Sequence, residues 1–354
     1  MGVFHKSKIF HLPINAIIGN PPYQVTQERT SDTPVYHHFI DLATTLAPRV
    51  SLITPARYLF DAGKTPKEWN AKMLSDPHLR IVWYRATSTD VFPFVDIKGG
   101  VAVMYYDRSQ VFGKIKHFFT FDELRGISQK VLSDPTFAPL SRIIYPPNRF
   151  VLEVLYQRHP DVKKKIGSKG RERRLTTPIF DLEEVFSIER RSCKQIQILG
   201  LVRKERVYRW IDSDLIEEHP NLHKFKVALP QSNGSGTIGE VLSAPLIGAP
   251  LIGAPLIGAT HSFITIGAFD TQAEAEACLK YVKAKFTRVM LGTLKVTQHN
   301  TRETWQNVPL QDFTSSSDID WSLSVAEIDQ QLYAKYHLAP EEIAFIEERV
   351  RPME

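Results

Sequence analysis

Apolar and polar positions alternate in blocks along the first third of the chain. Ala16-Ile17-Ile18 is a short apolar run closed by Gly19, the pattern of a buried parallel strand. In YHHFIDLATTL, Tyr36, Phe39, Ile40, Ala43 and Leu46 recur at helical spacing, which predicts a helix over 36–46 with those residues on one side. Val50 to Ile53 reads as the next strand, stopped by Thr54-Pro55. A helical stretch with Trp69, Met73 and Leu74 on one face follows and ends near Asp76-Pro77. Leu79 to Tyr84 and Gly100 to Tyr106 read as two more strands. Strands alternating with helices predict an α/β sheet covered on both faces, with Trp69 and Trp83 in its core.

The pattern changes beyond residue 115. One basic cluster holds Lys163, Lys164, Lys165, Lys169, Arg171, Arg173 and Arg174. A second holds Arg190, Arg191, Lys194, Arg203, Lys204, Arg206 and Arg209, interleaved with Tyr208 and Trp210. A single charge run is most simply a solvated face. Two in one region, with aromatics among them, favour contacts to a phosphate backbone. Past residue 310 the sign reverses, from Asp312 and Asp318 to Glu347 and Glu348. Residues 244–258 repeat APLIG three times, and a proline every fifth residue excludes a regular helix. An apolar extended loop enlarged by duplication is the simpler reading, and a spacer of variable length the sharper one.

Composition narrows the class. The chain has 354 residues, 43% apolar side chains and a formal charge of +5; its mean hydropathy is −0.21. These are values of a globular protein with room for two or three domains and a mild preference for anionic partners. Cys193 and Cys278 lack metal-ligand spacing, and no Cys or acidic residue is spaced to join His37 and His38. No metal site is expected. Neither a signal peptide nor a membrane-length apolar run is found, so the expected location is cytoplasmic and no membrane partner is expected.

The most specific stretch is IIGNPPYQ, residues 17–24. Asn20 offers a side-chain carbonyl. Pro21 has no N–H, and its ring fixes the backbone so that its own carbonyl can face a pocket. Tyr23 offers a flat face. Two acceptors aimed at an exocyclic amino group would hold both its hydrogens and aim its nitrogen for attack. Because that nitrogen's lone pair is spread into the ring, such bonds act mainly on the transition state. For a bare NPPY, a stiff proline turn after a strand is the plain alternative.

Here the sequence resembles the adenine-specific DNA methyltransferases of bacterial restriction–modification systems, in the branch that combines both activities. Asn20-Pro21-Pro22-Tyr23 is similar to their catalytic tetrapeptide. Val35 to Ile40 is similar to the following helix, where an aromatic at the Phe39 position borders the adenine of the cofactor. Ser51 to Leu59 resembles the next strand and turn. Asp90-Val91-Phe92-Pro93 resembles the segment whose aromatic packs on the extruded base, which implies that Phe92 stacks opposite Tyr23. Phe225 to Pro230 with the stretch around Asn233 resembles the target-recognition region, which implies DNA contacts from Lys226, Ser232 and Asn233. Tyr281 to Phe286 and Tyr336 to Ile343 match the carboxy-terminal end in style. The implied cofactor is S-adenosyl-L-methionine, and the implied partner is double-stranded DNA with a flipped adenine.

One departure is large. The branch places its cofactor-binding Gly-rich loop before NPPY, and only sixteen residues precede Ile17. The lone GxGxxG, Gly234 to Gly239, is weak, with Pro230 before it and Pro245, Pro250 and Pro255 after it. The expectation is therefore a partial Rossmann-like methyltransferase sheet over 1–115, lacking its cofactor half. An α+β target-recognition domain over 116–310 and an acidic helical tail over 311–354 should follow. A separate chain would supply the missing half, or the reading frame is truncated; a cognate restriction endonuclease is the other expected partner. The rival reading is a DNA-binding recognition subunit without catalysis. A nuclease is the weakest, since no strand-borne acid-x-Lys pair follows Asp161 at a usable distance.

Overall fold

The computed structural model describes residues 14–353, apart from 28–29, 61, 96, 98, 116–117, 168–169, 204, 233, 235–237, 243–250, 254–256 and 296. The chain is mixed α/β and separates into two compact units, residues 1–120 and 121–354.

The first unit is built on a four-stranded sheet. Its strands are β1 (Ala16–Gly19), β4 (Arg49–Pro55), β5 (Leu79–Arg85) and β6 (Val101–Asp107), in the order β1-β4-β6-β5. A short hairpin, β2 (Gln24–Gln27) and β3 (Thr30–Pro34), leads into α1 (Tyr36–Leu46), and α2 (Lys67–Ser75) joins β4 to β5. The β1–β4 pair is parallel, and β6 runs antiparallel to both β4 and β5. The sheet is thus mixed. Both helices cover one face, where Tyr36, Ile40, Ala43, Trp69 and Met73 bury against Val50, Leu52 and Met104. Asp41 ties α1 to α2 by accepting 3.0 Å bonds from Trp69 Nε1 and Lys72 Nζ. The opposite face is only half-buried, so the expected cover on both faces is seen on one.

Three sequence expectations change here for physical reasons. β1 is not buried: among the described residues it is an edge strand, bonded on one side only, and Ile18 is 82% exposed. In α1, Tyr36, Ile40 and Ala43 form the buried face, but Phe39, Leu42 and Leu46 lie to one side of it, 40–55% exposed. At about 100° per residue, 36, 40 and 43 mark the centre of the stripe, 39 and 46 its flank about 40–60° from Ala43, and 42 lies further round, so the spacing holds while only the centre of the stripe is covered. Trp83 lies on the outer edge strand β5 and stays exposed, with the Arg85 guanidinium 5.8 Å above its ring.

The second unit carries α3 (Asp122–Leu132), β7 (Ile144–Tyr145), α4 (Leu152–Arg158), β8 (Gln195–Val202), β9 (Glu205–Asp212), β10 (Phe225–Pro230), β11 (Leu251–Gly253), β12 (Ile257–Ala259) and β13 (Phe263–Phe269). Then come α5 (Gln272–Lys283), α6 (Lys285–Gly292), α7 (Val325–Lys335) and α8 (Pro340–Arg349). Two sheets form, β11-β10-β13-β7 and β12-β8-β9. One core of this unit joins Ile196, Ile198 and Ile211 of the second sheet to Phe150, Phe180 and Phe186. The acidic residues near the end are used inside this unit. Asp329 accepts the Lys285 and Phe286 amides at the start of α6, at 3.0 and 2.9 Å, and Glu342 pairs with Lys130 at 2.7 Å. Capping boxes at Thr271/Glu274 and Ser324/Glu327 start α5 and α7. No described helix is long and apolar enough to cross a membrane.

Candidate active site

Strand directions bring three segments to one edge of the first sheet. β1 and β4 run parallel, and β5 runs alongside them across antiparallel β6. The turn 20–23 after β1, the turn 55–57 after β4 and the loop 86–100 between β5 and β6 therefore emerge together. In α/β sheets that carboxyl edge is where ligands bind. The Ala56 amide donates to the Gly100 carbonyl at 2.9 Å and locks the second segment to the third.

Asn20 is exposed at the end of β1, Pro21 half-buried and Pro22 exposed. The Tyr23 ring packs on the core of this unit, as Ile17 does, and the Tyr23 carbonyl accepts the Val35 amide at 3.0 Å, which fixes the turn to the start of α1. Tyr23 Oη is buried without a hydrogen-bond partner among the described residues. Burial pushes the phenol's pKa up, partly offset by the nearby Asn20 side chain, so Tyr23 stays neutral. Phe92 comes to Tyr23 with ring centroids 6.5 Å apart and planes at 64°. The two rings meet edge to face. A base sandwiched between them needs one ring to turn.

Phe92 is held by a built loop. Its amide donates to the Ser88 carbonyl at 2.8 Å. Ser88 is buried, and its Oγ donates to the Val95 carbonyl at 2.8 Å while accepting the Ile97 amide at 2.7 Å. Gly100 closes the loop at φ +80°, and a Cβ there would strike the Arg85 carbonyl oxygen, with Ala86 Cα 2.8 Å away. None of these closing contacts is visible in sequence spacing. Lys98 lies outside the described residues.

Among the described residues of the first unit there is no Gly-rich loop of the kind that holds S-adenosylmethionine. Phe39 offers an exposed ring on α1. Three described carboxylates of the first unit are engaged within the protein: Asp41 with Trp69 and Lys72, Asp107 with Ser109, Tyr105 and Arg49, and Asp76 with the His78 amide; Glu68 on α2 and Asp90 in the Phe92 loop are exposed. Nor do any three described His, Cys, Asp or Glu residues group to hold a metal ion. His37 is buried edge-on against Trp69 at 5.6 Å, and burial lowers its pKa; it is a packing residue.

In the second unit the basic residues divide. Lys165 pairs with Glu184 at 2.6 Å and Arg173 with Glu217 at 2.7 Å. Lys163 is exposed, with its ammonium 5.7 Å from the Tyr156 ring. Lys164, Arg171, Arg174 and Arg203 are exposed and have no carboxylate partner among the described residues. On β9, Arg206, Tyr208 and Trp210 alternate onto one half-buried face, and Arg190 stacks 5.1 Å over Trp210. Lys226, expected at a DNA surface, is instead 2% exposed. Its Nζ donates to the carbonyls of Asn221, Leu222 and Lys224 at 2.5, 3.2 and 3.0 Å, and burial pushes its pKa down to about 7. Ser232 is exposed and bridges to His299. Lys169, Lys204 and Asn233 lie outside the described residues, as do 235–237 of the GxGxxG stretch and most of the APLIG repeat. The flanking Gly239 is committed to the protein, its carbonyl accepting from Arg288 at 3.3 Å. Sequence reading missed Arg149, which is exposed and bridges to Arg174; a single Arg between Asn148 and Phe150 carries no local signal.

Residues 7–92 match the family model described as Eco57I restriction-modification methylase, a stretch that holds both Asn20–Tyr23 and Phe92. Curated protein sequences give no match. Among solved structures, the chain is similar to the Type IIL restriction-modification enzyme MmeI in complex with DNA, at 9% identity and a TM-score of 0.43. That alignment covers 95% of this chain and 56% of MmeI, so the chain spans little more than half the length of that neighbour.

Proposed function

We propose that the chain is the base-binding and DNA-recognition part of a restriction–modification adenine methyltransferase that uses S-adenosyl-L-methionine. The observation that carries the reading is the conjunction, inside the methylase-matched segment, of an Asn-Pro-Pro-Tyr turn at a sheet's carboxyl edge with Phe92 at 6.5 Å. In this reading the Asn20 side-chain carbonyl and the Pro21 backbone carbonyl accept the two hydrogens of the adenine amino group. The bonds strengthen as the nitrogen turns pyramidal. Tyr23 and Phe92 grip the extruded ring, which offsets the few kcal/mol lost on leaving the duplex. Orientation of the nitrogen supplies the rest of the rate, and no strong base is needed before attack. Lys163, Lys164, Arg171, Arg174, Arg203 and Arg206, with Arg149, hold phosphates, while Lys226 supports the second unit from inside.

The methyl donor is held by elements that complete the first sheet beyond β1. Support for this comes from the outer edge of β1, which no described strand pairs, the exposed Ile14 and Ile18, and the apolar stripe of Phe39, Leu42 and Leu46. A lone edge strand with exposed apolar neighbours is a site that invites another strand. The second reading is a recognition subunit that binds DNA without catalysis. Labelled S-adenosylmethionine and genomic DNA separate them, with the chain alone and mixed with the product of the adjoining reading frame. Label in adenine from either reaction supports the methyltransferase. Duplex binding without label in either leaves the recognition subunit and refutes the catalytic reading.

A further inference from the structure

The loop that carries Phe92 carries a second aromatic with no role in the site described above. Phe94 is the most exposed large apolar side chain among the described residues, fully open to solvent. Its backbone is also at φ +74°, a left-handed conformation that is costly for a bulky residue. Scattered exposed apolar residues are common and need no explanation. This one is different because the strain is held in place. Buried Ser88 pins the loop at Val95 and Ile97, and the Val95 amide donates to the Phe92 carbonyl at 3.1 Å, so the turn 92–95 is closed around Phe94. Strain that its surroundings maintain, at a position where glycine would cost nothing, is the mark of a functional constraint.

We infer that Phe94 is an aromatic wedge that enters the base stack beside the extruded adenine, a positioning residue separate from the Tyr23–Phe92 pair. The inference rests on the base-flipping reading above. Extruding a base leaves its neighbours with unstacked faces, and apolar side chains inserted at such steps cover them. A rigidly presented ring suits this task, and stacking on it is tolerant of sequence because every base has a π-face. Phe94 lies two residues from Phe92, so a base held at Phe92 leaves its gap within the loop's reach.

The test uses the full chain, with the adjoining frame's product where transfer requires it. The duplex carries a site mapped as methylated in DNA from cells expressing the wild type. Two versions are compared, one with the target adenine paired and one with it mispaired, where extrusion is already easier. Phe94→Ala should lose on the order of tenfold or more of transfer on the paired duplex and less than about twofold on the mispaired one. Phe94→Trp should retain transfer on both. Phe94→Gly should match the alanine variant in transfer yet melt at a higher temperature, because glycine accepts the positive φ. An alanine variant equal to wild type on the paired duplex, or equally impaired on both, overturns the wedge alone. A wild type that methylates no site overturns the base-flipping reading and the wedge with it.

Discussion

Replacing Ser88 with alanine should loosen the loop that presents Phe92 without unfolding the sheet behind it. One oxygen is removed, and two hydrogen bonds go with it: the donation to Val95 at 2.8 Å and the acceptance from Ile97 at 2.7 Å. Each is worth about 1 kcal/mol net. Val95 is half exposed, so water can take over its carbonyl, whereas the Ile97 amide sits in a more enclosed position. The expected cost is about 1–2 kcal/mol of local opening free energy, which is roughly a 5- to 30-fold faster exchange of the Ile97 amide. Hydrogen exchange on the native chain reads this directly, with the Met104 amide in β6 as an internal control. Ser88→Thr, which keeps the hydroxyl, should exchange close to wild type. The reasoning is refuted if Ile97 exchange changes by less than about twofold. It is equally refuted if Met104 accelerates in step, since that would report global destabilisation.

Gly100→Ala should be far more severe, because the added Cβ meets backbone atoms of Arg85 and Ala86 and the residue sits at φ +80°; a loss of about 3 kcal/mol or more is expected, seen as a lower melting temperature of the first unit. In the second unit, burial raises the Asp329 pKa to about 6. The folded state therefore binds the extra proton between about pH 4 and 6, so stability should fall by up to about 3 kcal/mol as pH rises through that window and stay level above it. Asp329→Asn should remove that slope in urea midpoints measured from pH 4 to 7.

The regular elements of the first unit were legible because each depends on local periodicity. The helix 36–46 ends where its pattern ends, and the strands at 50–53, 79–84 and 100–106 differ from the observed ones by one or two residues. Burial was less legible. Ile18 and Leu46 are apolar, yet their exposure depends on what lies beside β1 and α1, which no window of sequence encodes. Lys226 misled for another reason: the resemblance of FKVALP to a target-recognition region implied a DNA contact, but three carbonyls of the 221–224 turn gather around its ammonium. In the site, Asn20 to Tyr23 announce themselves through an unusual dipeptide of prolines. Phe92 entered as a candidate only through resemblance, and Ser88 not at all, since its two bonds close a loop across seven and nine residues.

The central claim is that the turn 20–23 grips an adenine amino group. The most direct measurement maps N6-methyladenine in DNA from cells that express wild type or Asn20→Ala, each with the adjoining frame's product, beside duplex binding by the two purified chains. Methylation at defined sites with wild type, none with Asn20→Ala, and equal DNA affinity for both is the predicted result. Methylation that survives the substitution, or a parallel loss of DNA binding, would contradict it.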